Sequence, residues 1–188
     1  QQPSQRYTMT TDLLKLNKCL GITDQLVFRD SGDGFIVMDI TNEHCSAAIS
    51  LQGAHLLNWQ PKGEQPVIWL SPDAKLSHGS SIRGGIPICW PWFGAHASEA
   101  DYPAHGYART SPWHVVRTST LDDGRSCIRF AIDTENRELW PFQTTVEIVM
   151  TLGKTLELEL ITTNHDDRPL VLSNALHTYF NVSDVRDI

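Results

Sequence analysis

The run Val146-Glu147-Ile148-Val149-Met150-Thr151-Leu152-Gly153-Lys154-Thr155-Leu156-Glu157-Leu158-Glu159-Leu160-Ile161 decides the fold class. Val146, Ile148, Met150 and Leu152 alternate with Glu147, Val149 and Thr151, and Leu156, Leu158 and Leu160 alternate with Glu157, Glu159 and Ile161. A period of two puts every second side chain on the same face of a strand, so each half reads as a strand with one core face and one largely polar face. Gly153-Lys154 suits a two-residue turn with glycine first, which makes the run an antiparallel hairpin.

The same pattern extends outward from this hairpin. Residues 113–120 and 126–133 flank the turn Asp122-Asp123-Gly124, with Ile128, Phe130 and Ile132 directed inward. Nearer the start, Val27-Phe28-Arg29 and Phe35-Ile36-Val37-Met38 flank Asp30-Ser31-Gly32-Asp33-Gly34, another hairpin. Residues 45–51 and 55–59 are two apolar runs separated by Gly53, and Val67-Ile68-Trp69-Leu70 is a further strand candidate. Residues 1–11 read as a tail, 12–17 as one helical turn or a strand, and 135–139 as a helical turn ended by Pro141. Asp166-Asp167-Arg168-Pro169 turns the chain into residues 170–175. There is no heptad, helical repeat or βαβ rhythm, so the expectation is an all-β fold. It is read as one domain over residues 1–188, a large sandwich of mostly antiparallel strands with little helix.

The 188 residues are 40% hydrophobic and 20% charged, an ordinary globular composition. A net charge of −7 speaks against a general nucleic-acid binder, which shows a basic face, but leaves room for local arginines to hold a small anion. The apolar runs fall far short of the roughly 20 residues that span a bilayer, and the start lacks an apolar signal core. Cys19, Cys45, Cys89 and Cys127 are too widely spaced for a zinc motif or a dense disulfide framework, and read as buried thiols of a cytoplasmic protein. The eight histidines form no HExxH pair or tight cluster, and no dinucleotide fingerprint or P-loop appears, so neither a metal nor a cofactor is expected.

Residues 71–111 are different: rich in glycine and proline, aromatic, and about 40 long, well beyond the usual connection. They read as ordered segments lining a site. Arg83 stands alone between Ile82 and Gly84-Gly85; its guanidinium wants an anionic partner, either an internal carboxylate such as Asp101 or a ligand phosphate. If the segment after His105-Gly106 is extended, His105, Tyr107 and Arg109 share a face. Trp90 and Trp92 fall on one face and Phe93 on the other, so both sugar stacking and a core seam are open to them. Gln52 is a weaker polar candidate. His177 lies in Asn174-Ala175-Leu176-His177-Thr178-Tyr179-Phe180, with Asn174, Thr178 and Tyr179 as polar neighbours. Histidine titrates near neutrality and can exchange protons, although a histidine after an apolar run also occurs as a core residue.

Taken in order, Leu51-Gln52-Gly53-Ala54-His55-Leu56, Ile82-Arg83-Gly84-Gly85-Ile86-Pro87, Pro91-Trp92-Phe93-Gly94, His105-Gly106-Tyr107-Ala108-Arg109 and Leu176-His177-Thr178-Tyr179-Phe180 resemble the bacterial D-hexose-6-phosphate mutarotases, or glucose-6-phosphate 1-epimerases, of the aldose 1-epimerase superfamily. The resemblance implies a galactose mutarotase-like β-supersandwich and the interconversion of hexose 6-phosphate anomers without a cofactor. By the same resemblance His177 matches the acid that protonates the ring oxygen, and His105 a second histidine that holds the sugar. Arg83 and Arg109 match the grip on the phosphate. The base is a glutamate in a strand well beyond His177; Glu147, Glu157 and Glu159 sit in no such motif, so the sandwich is expected to be incomplete at its C-terminus. A further segment or a second chain would complete it. An unphosphorylated aldose as substrate and a non-catalytic carbohydrate-binding role are the alternatives.

Overall fold

The computed structural model describes residues 5–134 and 138–188. Two four-stranded antiparallel sheets carry the fold. The first consists of β1 (Leu26–Asp30), β2 (Ile36–Thr41), β3 (Cys45–Ser50) and β4 (His55–Pro61), in that order. A short β5 (Ile88–Cys89) follows. The second sheet is β6 (His114–Thr120), β7 (Ser126–Ile132), β8 (Thr144–Leu152) and β9 (Leu156–Asn164), again in sequence order. Such meanders need only short connections, which the glycine turns supply.

Phe28, Met38, Ile49 and Leu56 from one sheet and Ile128, Phe130, Ile148 and Met150 from the other belong to one buried core. That is the sandwich the alternation predicts. β8 buries every second residue, Val146, Ile148, Met150 and Leu152 being at most 1% exposed. The outer face of the first sheet is not bare either. Phe35, Val37, Ala48 and Leu57 form a second cluster with Ile82, covered by Leu70, Ala74 and Leu76.

Several expectations need correction. The β8–β9 turn holds three residues, because Leu152 pairs with Leu156 and Gly153 N–H bonds Thr155 O at 3.0 Å. Residues 1–11 are not all tail: α1 runs over Gln5–Leu20. Its described apolar stripe, Leu13, Leu16 and Leu20, packs on the core, and the window at 12–17 hid it because it covers fewer than two turns and stops short of Leu20. The side-chain amide of Asn17 pairs with both backbone groups of Phe28, each at 2.8 Å, so α1 covers the outer edge of β1. Residues 67–70 make only isolated bridges, Ile68 to Phe180 and Leu70 to Gly84. Their partner segment contains Gly84 and Gly85 at positive φ, which cannot hold a pleated ladder. The expected turn at 135–139 falls largely outside the described residues. Of the thiols, Cys45 and Cys89 are buried, but Cys127 is only half-buried and Cys19 is exposed on the helix.

Two further features set the stage for the site. β10 (Ala175–Leu176) pairs antiparallel with β5, as a small separate sheet. Beside β9, whose Leu156 and Leu158 are only partly buried, runs an apolar groove lined also by Trp59, Ile68, Ile86 and Phe180.

Candidate functional site

Residues 83–87 form a rail on which the candidate site hangs. On one side Ile86 N–H donates to Leu56 O of β4 at 2.8 Å. On the other, Tyr179 N–H donates to Gly85 O and His177 N–H to Pro87 O, both at 3.0 Å. Trp69 N–H in turn bonds Tyr179 O at 2.9 Å. His177 is therefore fixed by the backbone on both sides, immediately after β10. Its ring is half-buried and stacks on Tyr179, with centroids 5.1 Å apart at 26°. Among the described residues neither ring nitrogen of His177 takes a hydrogen bond; of the expected polar neighbours, Tyr179 offers its ring face, and Thr178 Oγ1 turns away to donate to Leu176 O.

His105 meets His177 edge to face, with centroids 5.8 Å apart. It arrives from the loop before Gly106 in a left-handed conformation, φ +68°, uncommon for a side-chain-bearing residue. Gly94 holds it twice: His105 N–H donates to Gly94 O at 2.7 Å, and Gly94 N–H donates to His105 Nδ1 at 3.1 Å. The second bond fixes the neutral tautomer, because an Nδ1 that accepts leaves the proton on Nε2. Burial, then the positive charges of Arg109 and of His177, hold His105 below the ordinary histidine range, so the neutral form is favoured.

The segment after His105 is not extended. Tyr107 has helical dihedrals and precedes a 3-10 turn, Ala108–Thr110, so the shared face expected for 105, 107 and 109 does not form. Tyr107 is buried edge-on against Trp90. Gly106 lies beneath Trp90, and Tyr107 N–H donates to Trp90 O at 3.1 Å. Trp90 is fully buried and its indole donates to Thr162 Oγ1 of β9 at 3.1 Å, which ties the loop to the second sheet. Trp92 is also buried, donating to Pro103 O and stacked on Tyr102. Both tryptophans thus form a core seam. Phe93, on the opposite face, is half-exposed and lies 4.9 Å from the His105 ring and 6.2 Å from that of His177. The alternation Trp92-Phe93 was the signal that separates the two, and it is Phe93 that offers the cleft an aromatic face.

Arg109 is half-buried, donates from Nη2 to Ala104 O at 3.0 Å, and its charge bears on His105, His55 and Cys89. Arg83 is exposed, its carbonyl accepting from Ser71 N–H. Among the described residues neither arginine pairs with a carboxylate, Asp101 included, in contrast to Arg29, Arg125, Arg129 and Arg168. Gln52 is buried and clamps a loop: its Oε1 accepts from Gly79 N–H and its Nε2 donates to Ser80 O. Gln52, Trp92 and Tyr107 therefore form walls and supports with little surface of their own. Glu147 and Glu157 are held by Arg129 and Arg125 on the polar face of the second sheet. No three His, Cys, Asp or Glu side chains among the described residues gather as a metal site. No described helix is long and apolar enough to cross a membrane.

Residues 37–188 match the family described as aldose 1-epimerase. A Salmonella typhimurium protein named "Putative glucose-6-phosphate 1-epimerase" is 37% identical over 158 residues, covering 83% of this chain and 52% of its own. An Escherichia coli protein of the same name is 39% identical over 155 residues, covering 81% and 50%. The crystal structure of a "putative mutarotase" from Salmonella typhimurium superposes with a TM-score of 0.80 at 35% identity, over 94% of this chain and 58% of that one. A galactose mutarotase-like protein from Clostridium acetobutylicum shares the fold with a TM-score of 0.68 at 14% identity, over 84% and 54%. The chain thus spans about half the length of the curated relatives it matches. On this evidence the all-β, mutarotase-like sandwich with its paired histidines belongs to the aldose 1-epimerase family.

Proposed function

We propose that the protein interconverts the α and β anomers of a hexose 6-phosphate, glucose 6-phosphate being the first candidate. The observation that carries this reading is the pair of facing imidazoles, His105 and His177, with the charge of Arg109 acting on the same cleft and, among the described residues, no carboxylate paired with either Arg109 or Arg83.

In this reading His177 gives a proton to the ring oxygen. The C1–O5 bond breaks as a base takes the proton of the anomeric hydroxyl, leaving an open-chain aldehyde. The aldehyde end rotates, and the reverse steps close the ring on its other face. His105, neutral and protonated on Nε2, donates a hydrogen bond to a sugar oxygen and exchanges no proton. Phe93 stacks on the sugar ring. Arg83 and Arg109 hold the phosphate, which orients the substrate without entering the bond changes. Gln52, Trp92 and Tyr107 support these groups from behind. As the resemblance implies, the base is a glutamate on a further segment or a second chain; Glu147 and Glu157 pair with Arg129 and Arg125 on the second sheet.

The test is exchange NMR or polarimetry on α-glucose 6-phosphate with the full-length protein. Acceleration above the spontaneous rate supports the reading; none overturns it. Replacing Arg83 or Arg109 by Ala is expected to weaken binding of the phosphorylated sugar roughly 10- to 100-fold, the loss of one charge-assisted contact. If turnover of the phosphorylated sugar survives loss of both arginines, the substrate is an unphosphorylated aldose.

A further inference from the structure

His55, at the start of β4, is fully buried, and the chemistry above leaves it without a role. Its Nε2 donates to Gly84 O at 2.8 Å, so the ring carries its proton there. Nδ1 is buried and has no hydrogen-bond partner among the described residues. An apolar ring would fill this space without stranding an acceptor, so the site holds an imidazole for the one bond it makes.

That bond falls at a place where the backbone would otherwise be loose. Gly84 and Gly85 both have positive φ, +105° and +68°, and two adjacent glycines leave the peptide between them free to flip. The two ends of that peptide are held separately. Its carbonyl, Gly84 O, accepts the hydrogen bond from His55 Nε2, and its N–H, Gly85 N, donates to Trp69 O at 2.7 Å. The imidazole also sits where a side chain of residue 85 would stand, since a Cβ there would lie 2.5 Å from Nε2. Arg83 precedes this peptide. Gly85 O and Pro87 O, which receive the Tyr179 and His177 amides, follow it.

We propose that His55 is a positioning residue. Its buried imidazole locks the Gly84–Gly85 peptide and so sets both the placement of Arg83 and the backbone register of His177. The proposal rests on the reading of His177 and Arg83 as site residues, but its structural part does not depend on turnover. Loss of the lock frees one peptide of the rail and leaves the sandwich core in place.

The test compares wild type, His55→Phe and His55→Gln in the full-length protein by amide hydrogen exchange and by anomer-exchange kinetics. His55→Phe keeps a ring and removes the donor; His55→Gln keeps a donor. Where the phenyl variant does not fold, His55→Asn replaces it, its amide being too short to reach Gly84 O. Exchange at Gly85, His177 and Tyr179 is expected to quicken by at least about tenfold in the donor-less variant, with Ile148 and Met150 of β8 unchanged and with His55→Gln close to wild type. In parallel, kcat should fall and KM rise. Unchanged exchange at the three amides, or equal acceleration across β8, overturns the proposal. A wild type without anomerase activity overturns the functional reading instead, and the exchange pattern still decides the role of His55.

Discussion

His105 and His177 stand edge to face, with ring centroids 5.8 Å apart and planes at 83°. The two rings are held differently, and their variants should differ accordingly. His177→Asn is expected to lower kcat by about 10²–10⁴-fold, the usual contribution of a positioned proton donor. In the proposed mechanism His105 bonds the sugar in ground and transition states alike, so His105→Asn should raise KM more than it lowers kcat. Saturation kinetics by exchange NMR separates the two; equal loss of kcat in both variants contradicts the division of roles.

Phe93 and Trp92 are neighbours with opposite fates. Phe93→Ala should weaken sugar binding several-fold and leave stability nearly unchanged, because the ring is half-exposed. Trp92→Ala should destabilise the fold by about 3–5 kcal/mol, because its indole is buried and hydrogen-bonded to Pro103 O. Calorimetric titration together with thermal melts checks both.

His55 gives the fold a pH dependence. Burial first, against the opposing hydrogen bond to Gly84 O and with a further push from Arg109, lowers its pKa from 6.5 to about 4. The folded state therefore binds fewer protons than the unfolded chain. Full stability is present above pH 6.5, and about 3 kcal/mol is lost progressively as the pH falls from 6.5 to about 4. His55→Gln does not titrate and should flatten that part of the curve. Denaturant titrations between pH 7 and pH 4 measure it; an equal slope in the variant counts against this account.

Gly106→Ala should destabilise by at least about 2 kcal/mol, lowering the thermal midpoint by roughly 4–8 °C. The residue has φ +71°, and a Cβ would lie 2.0 Å from Trp90 O, a backbone atom that cannot swing aside. Gly124, also at positive φ, would meet only the flexible Glu43 side chain and offers the milder comparison.

The β-sandwich was legible because it is written in a local code. Alternation along β7, β8 and β9 marks one face apolar whatever lies opposite, and the glycine turns between them leave short antiparallel connections. Where the code was short it failed. The 12–17 window holds fewer than two of the turns of α1, and residues 67–70 look like a strand until their glycine partner segment is known.

The candidate site divides in the same way. Residue chemistry, local context and the order of the family-like motifs together pointed to His105, His177, Arg83 and Arg109 among eight histidines and many other basic residues. These signals could not show that Trp92, Tyr107 and Gln52 are inner supports, or find a task for His55. Those outcomes depend on burial and on contacts between distant segments: Trp90 with Thr162, Gly84 with His55, Gly85 with Tyr179. Strand alternation and residue chemistry are properties of the chain itself, whereas the company each side chain keeps is set only when the two sheets close on their common core.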